Sequence, residues 1–340
     1  MYNGTKVLDI HAHVSAPSGN GMLVMGAMLA SNTPVWADPR GSGLEARGFT
    51  EEAWAGRVKT HTDLLESHSI EAQLVGPRPF TRLGWMQPHI LKAWARFTNH
   101  MIAKQCEMEP TRFIGAAMLP QQPLADDLSH CIEELDYCRT ELGFKGCYLS
   151  PDPAGDRSSP GMDQHYWDPV YEYCQKHGLP IIVHGTNCTD PRIRTIPQNY
   201  QIGFVIEQYL ATQLLSHGDV FERFPELKVV VCHCGGALDR FIKTDKHLAQ
   251  KDLSKNLYFD TCALDLNFLE AAIKQRTPAN TLFGTETPGS GAAVRPETGL
   301  PGDDLVPVIG AMDFLSEDDK QAIFHGNAAH VCPGLAEIAA

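Results

Sequence analysis

The feature that most constrains this chain is a repeated pattern. Short, almost wholly apolar runs recur at 6–10, 72–75, 113–118, 146–149, 180–184, 229–233, 257–261 and 281–285. Most are followed by stretches with helical spacing, at 50–67, 88–109, 124–142, 167–177, 200–217 (extending towards 224), 237–250 and 266–275. The first of these helices opens on a cap-like Thr50 with acids behind it and an apolar stripe. Further helices are expected at 305–315 and 317–326. A strand that is apolar along its whole length must be buried on both faces, which means a parallel sheet covered by helices. Eight such units within about 290 residues predict an α/β fold closed into a (β/α)8 TIM barrel. An open doubly wound sheet would more readily carry GxGxxG after an early strand, and none is present.

A length of 340 residues fits two domains on a simple prior, but barrels reach it as one. We therefore read residues 1–340 as a single barrel domain. The stretch 15–48 is rich in Gly, Pro, Ser and Asn and too long for an ordinary loop. Residues 14–60 are accordingly expected to form an N-terminal loop insertion, or lid, over the mouth of the barrel.

Composition narrows the function. The net charge of −13 disfavours nucleic acid and anionic membrane as partners. It leaves a small anionic substrate open, because a basic pocket can sit inside an acidic protein. No run approaches the length of a membrane span. Asp9, His11 and His13 follow the start at once with no apolar leader segment, so no signal peptide is expected. The ten cysteines show no CxxC pair and read as small buried hydrophobes. A cytoplasmic protein with reduced thiols is the expectation.

Polar residues gather where the apolar runs end. In a parallel barrel these positions face one mouth, where barrel enzymes do their chemistry. His11 and His13 are two apart on one strand and point the same way. With His184 and Glu286, at the ends of two other strands, they form an N3O set for one divalent metal ion. Zinc is the first expectation and manganese the alternative, although iron or cobalt would also suit the donors. A lone HxH is a weak signal, whereas four donors at the right strand ends are a strong one. His233, before a Gly-Gly turn, is expected to act as a catalytic acid or base, or to support the ligands, and Glu286 is a second catalytic candidate. Asp9 either orients a ligand or caps its turn. Arg78, between two prolines, either clamps a substrate carboxylate or lies on the surface. Arg295 has the same two readings. Asn187 and Thr186 either bind substrate or stabilise a turn. Lys145 reads as solvated, and His61, His68, His89 and His247 as ordinary helix residues.

The motifs Asp9-x-His11-x-His13, the apolar strand into His184, His233-x-Gly235-Gly236, Leu282–Pro288 and Phe324-x-x-Asn327-Ala328 together resemble the amidohydrolase-2 group, which includes the aminocarboxymuconate-semialdehyde decarboxylase relatives. The resemblance spans nearly the whole chain. It implies a metal-dependent barrel and a dimer or larger homo-oligomer. One residue departs from the decarboxylase pattern, which carries aspartate where this chain has Glu286. Glutamate there, with Gly146-Cys147 leading to Ser150-Pro151-Asp152-Pro153 and Pro296–Gly299 followed by Asp303-Asp304, is similar to the 4-oxalomesaconate hydratase branch. The resemblance thus implies a lyase of aromatic-compound degradation. It would be a hydratase adding water to a conjugated C=C, or alternatively a decarboxylase of a hydroxyaromatic or aminomuconate-type acid. Amide or ester hydrolysis is a third enzymatic reading, and an inactive barrel with a structural role is the non-enzymatic one.

Overall fold

The computed structural model describes residues 1–17, 24–26, 28–29, 49–123, 125–196 and 201–340. The strands are β1 (Leu8–His13), β2 (Ala72–Gly76), β3 (Phe113–Gly115), β4 (Ala117–Met118), β5 (Cys147–Leu149), β6 (Ile181–Val183), β7 (Val229–Val231), β8 (Leu257–Asp260) and β9 (Thr281–Leu282). Every paired neighbour is parallel. The expected strand 113–118 is broken at Ala116. That residue donates back to Val75 O at 2.9 Å, while Ala117 donates forward to Gly146 O at 2.9 Å. So β3 and β4 act as one barrel strand. The ring closes between the ends of the chain: Ile10 N–H reaches Phe283 O at 3.0 Å and Glu286 N–H reaches His11 O at 2.9 Å. This is the expected eight-stranded barrel.

The described helices are α1 (Glu51–Ser67), α2 (Pro88–Met108), α3 (Ser129–Thr140), α4 (Asp168–His177), α5 (Gln201–His217), α6 (Val220–Arg223), α7 (Leu266–Arg276), α8 (Val306–Gly310), α9 (Glu317–Gln321), α10 (Asn327–Val331) and α11 (Pro333–Ala339). Thr50 caps α1 by accepting from Ala53 N–H, and Trp54, Val58, His61 and Leu65 form its buried stripe. Their spacing of three to four residues keeps them on one face. Of the expected insertion 14–60, residues 18–23, 27 and 30–48 lie outside the described residues, and 51–60 are the first turns of α1.

The expected helix 237–250 does not form. Side chains from α7 take the backbone groups that a helix would use internally. Arg276 donates to Ala237 O, Gln275 donates to Asp239 O, and Asp239 N–H donates to Gln275 Oε1, each at 2.8 Å. Near the other end, the predicted 317–326 helix continues past α9 as a π-helical turn over Ala322–Gly326.

Two apolar layers result. One fills the barrel interior with Leu8, Ile10, Leu74, Ile182, Val230 and Leu282, against Val331 and Leu335 of the C-terminal helices. The other lies between strands and surrounding helices and includes Val75, Trp94, Phe97, Val183 and Val231. β1 changes sides within its length. Leu8 and Ile10 face the interior, yet the register with β2 shifts between Asp9 and Ala12, and Ala12 belongs to the outer layer. An irregularity of this kind re-aims the side chains that follow it. His11 and His13 thereby point into the mouth.

The loop after β9 is tied down by a buried ion pair. Asp303 accepts from His68 Nε2 at 3.2 Å and also receives the Thr287 hydroxyl. His68, expected to be an ordinary helix residue, is thus a clasp between the end of α1 and that loop. Burial lowers the His68 pKa, but Asp303 and the Leu64 carbonyl outweigh it and the net shift is upward. A raised histidine pKa stabilises the fold fully below its unfolded value and ceases to do so as pH rises through the folded value. Stability against urea should therefore fall between mildly acid and alkaline pH, and His68→Gln should flatten that dependence. His68→Ala should cost about 1.5–3 kcal/mol at pH 6, since Asp303 is left buried without its charged donor. An unchanged urea profile in His68→Gln would exclude this clasp.

Candidate metal centre and active site

Four imidazoles meet at the mouth of the barrel. The ring centres of His11 and His13 lie 5.2 Å apart, and His184 stands 5.0 Å from His11 and 5.2 Å from His13. His233 lies 5.2 Å from His11 and 5.0 Å from His184. Tyr148 forms the floor beneath them, 6.0–6.4 Å from the rings of His11, His13 and His184. Its hydroxyl donates to Ala12 O at 3.1 Å. The ring lies so close over Gly76 that a Cβ there would stand 2.1 Å from it, so only glycine fits at the end of β2.

Hydrogen bonds set the imidazole tautomers. His11 Nδ1 donates to Asp260 Oδ2 at 2.7 Å, and His184 Nδ1 donates to Gly185 O at 2.7 Å. Each neutral ring then presents a bare lone pair at Nε2. Those two Nε2 atoms and both ring nitrogens of His13 are buried with no hydrogen-bond partner. Burial lowers the His13 pKa to about 3 and the His184 pKa well below its ordinary value, despite Glu286 nearby. Both rings are neutral at pH 7. Glu286 Oε1 nevertheless faces His13 Nε2 at 3.4 Å and His184 Nε2 at 3.6 Å. The His184 Nε2 lone pair and a carboxylate oxygen repel unless a positive centre lies between them. The donors His11, His13, His184 and Glu286 lie within 4.8 Å of one another, and their chemistry fits a divalent cation.

Glu286 divides its two oxygens. Oε1 faces the ligand histidines. Oε2 accepts from Ser290 Oγ at 3.1 Å and faces His233 Nε2 at 3.7 Å. Burial opposes its charge, and only where His13, His184 and His233 turn a proton towards it do they outweigh burial and hold the carboxyl well below its ordinary pKa. Its backbone is left-handed, with φ 62°, as is that of His233 at φ 52°. Non-glycine residues in this region carry local strain, which clusters at functional sites. His233 is bonded differently from the other three rings. Its Nδ1 accepts from Gln208 Nε2 at 2.9 Å, which leaves the proton on the Nε2 that faces Glu286. Burial would lower the His233 pKa, but Glu286 and Asp260 bring it above its ordinary value. His233 and Glu286 also border a cavity of ≈ 260 Å³ together with Cys262, Phe268, Gln201 and Val205.

The other expected residues are placed as follows. Asp9 makes no hydrogen bond to an imidazole side chain among the described residues. It caps the turn, accepting from His11 N–H, Gln73 Nε2 and Thr285 Oγ1 at 2.9, 2.8 and 2.6 Å. His61 is buried in the same network, with Nε2 2.7 Å from Gln73 Oε1. Arg78 is half-buried beside the site, donating to Val14 O at 3.1 Å and Pro288 O at 3.4 Å. Asn187 is exposed, with its backbone carbonyl packed against Gly155. Thr186 donates to Pro79 O at 3.0 Å. Arg295 is buried within its own loop, where it donates to Gly302 O. Cys232 and Cys234 are buried thiols with pKa values pushed well up by burial. Three residues were not anticipated as parts of the site: Asp260, which fixes the His11 tautomer, Gln208, which fixes that of His233, and Tyr148. Asp260 ends an apolar run, so its position was visible, but nothing in the spacing says that it faces His11.

The chain belongs to the amidohydrolase family, whose profile (Amidohydro_2) matches residues 8–332. Within that family it is similar to 2-keto-4-carboxy-3-hexenedioate hydratase of Sphingobium sp. (strain NBRC 103272 / SYK-6), 32% identical over 80% of this chain and 81% of the relative. The crystal structure of 4-oxalomesaconate hydratase from Rhodopseudomonas palustris superposes with a TM-score of 0.81 at 27% identity, covering 98% of this chain and 97% of that one. A dihydroxybenzoic acid decarboxylase from Polaromonas sp. JS666, solved with bound manganese, shares the fold with a TM-score of 0.66 at 20% identity, covering 97% of both chains. No described helix is long and apolar enough to cross a membrane.

Proposed function

We propose that this chain is a metal-dependent lyase, a hydratase that adds water across a C=C conjugated to the keto group of a small polycarboxylate of the 4-oxalomesaconate type. The observation that carries the metal is the set of buried imidazole nitrogens without a hydrogen-bond partner, two of them 3.4 and 3.6 Å from a carboxylate oxygen. His11, His13, His184 and Glu286 Oε1 would hold the ion, with zinc the first choice and manganese the alternative. When bound, such an ion polarises a substrate oxygen and lowers the pKa of water.

The remaining chemistry falls to the chain. Glu286 Oε2, steadied by Ser290, takes the proton that attacking water gives up. His233 holds a proton on Nε2 at 3.7 Å from that oxygen and delivers it to the substrate carbon. Such acid–base steps contribute about 10²–10⁴ in rate. Arg78, bound to the carbonyls of Val14 and Pro288, stands where a substrate carboxylate would meet a cation on the β1–β9 side. Arg295 and Asn187 are weaker substrate contacts, because one is committed to its own loop and the other is exposed. The free, mostly buried cysteines suit a reducing compartment, the cytoplasm, and the family resemblance supports a homo-oligomer.

The similarity to hydratases over most of the chain favours hydration over decarboxylation. The test is incubation of the metal-loaded protein with 4-oxalomesaconate and with a panel of hydroxybenzoates. Loss of the conjugated chromophore with water added and no CO2 released is expected. Release of CO2 from any of these would replace hydration with decarboxylation.

A further inference from the structure

Arg82 follows the short 3-10 turn Pro79–Thr81 that leads out of β2. Its side chain is only 4% exposed. Nη1 donates to Ser150 Oγ and, at 3.3 Å, to the backbone carbonyl of His184. The guanidinium carbon stands 5.3 Å from the centre of the Tyr148 ring, the floor of the histidine cluster. Nε and Nη2 are buried with no hydrogen-bond partner. Those two atoms form the side-on edge of the guanidinium, the edge that receives a carboxylate through two parallel hydrogen bonds.

Among the described residues, the charge on this group has no counter-ion. The half-buried Arg276 and Arg223 have one, pairing with Asp239 at 2.8 Å and with Asp168, and the buried Arg295, although it makes no ion pair, lies in the field of Glu297, Asp303 and Asp265. Among the described residues, no Asp or Glu makes an ion pair with Arg82. Burial pulls its pKa down to about 10, opposed by Tyr148, Cys232 and Cys147. It therefore stays protonated at neutral pH. A buried charge without a partner is strongly unfavourable, and each orphaned donor adds to that.

We propose that Arg82 is a substrate-positioning residue, receiving one carboxylate of the substrate on its free Nε–Nη2 edge, on the β5–β6 side of the histidine cluster. Arg78 sits on the opposite, β1–β9 side. Two guanidinium groups on opposite flanks fit a substrate with carboxylates at both ends. This assignment rests on the hydratase reading for the substrate class, but not for the anion site itself.

The test uses the full-length, metal-loaded protein and tricarballylate, a saturated tricarboxylate that cannot be hydrated. Its binding is measured by calorimetry on wild type, Arg82→Met and Arg82→Lys. Arg82→Met should bind it about 30-fold more weakly, the loss expected for charge-assisted hydrogen bonds. Arg82→Lys should fall between, because a point charge replaces a fork. Ligand-free Arg82→Met should melt no lower than wild type, since replacing an unpaired buried charge by an apolar side chain is neutral or stabilising. Ser150 Oγ keeps a partner in that variant through His184 O at 3.3 Å. On 4-oxalomesaconate the variants should raise KM more than they lower kcat. If Arg82→Met does not fold, Arg82→Lys carries the same comparison. Undiminished tricarballylate affinity in the folded variants, or no binding by wild type, would overturn the assignment. Wild type that binds tricarballylate through Arg82 yet hydrates nothing would retain the anion site and sink the hydratase reading instead.

Discussion

His13→Asn should abolish both turnover and the response to divalent cations, while the metal-free fold stays intact. Neither ring nitrogen of His13 has a hydrogen-bond partner within the protein. Its ring is held by packing, edge-on to His11 and His184. Removing it therefore takes away no hydrogen bond that the metal-free protein possesses. The holo protein is another matter. A ligand present at a thousand times its Kd stabilises the fold by about 4 kcal/mol. For a domain of this size that is a rise in Tm of about 6 °C. Wild type should show that rise on adding Zn2+ or Mn2+, and His13→Asn should not. Activity should drop by about 10³–10⁴, corresponding to several kcal/mol of lost charge stabilisation. Elemental analysis decides the matter: a His13→Asn protein that holds one ion per chain as tightly as wild type would remove His13 from the ligand set.

The barrel and its ligand histidines were legible in the sequence for one reason. Periodicity reports burial, and burial on both faces of short strands leaves few architectures open. Strand ends then mark the mouth, so His11, His13, His184, His233 and Glu286 could be placed together without coordinates. What stayed hidden depends on side-chain direction. Alternation with Leu8 and Ile10 turns Asp9 away from the interior, and the register shift that follows it re-aims His11 and His13 without it. Asp260 and Gln208 decide which imidazole nitrogen carries a proton, yet neither lies near its histidine in sequence. Arg82 escaped notice because burial of a charge is not encoded in local spacing. The helix expected at 237–250 failed for a related reason: its backbone partners are side chains of α7, contributed from a distance.

Glu286→Gln should be the variant in which stability and function move in opposite directions. In the metal-free protein, Glu286 Oε1 faces the Nε2 atoms of His13 and His184 at 3.4 and 3.6 Å, the latter a bare lone pair. A neutral amide relieves that repulsion, and its NH2 can donate to one of the rings. The metal-free variant should therefore be as stable as wild type or more so, as when strain at a catalytic site is released. Two functional losses should accompany the gain. With Oε1 no longer anionic, metal affinity should weaken by more than about 100-fold, the upper end of the loss when a mere outer partner of a ligand is removed. Saturating metal should then restore occupancy but not turnover, because Oε2 can no longer take the proton that it shares with Ser290 and His233. The residual kcat should stay about 10³-fold below wild type. Glu286→Asp separates the two duties further. It keeps the charge but shortens the reach, so metal should bind while the 3.7 Å approach to His233 lengthens and kcat suffers. Full activity of Glu286→Gln at saturating metal would remove Glu286 from the proton path. Full occupancy at limiting metal would remove it from the ligand set.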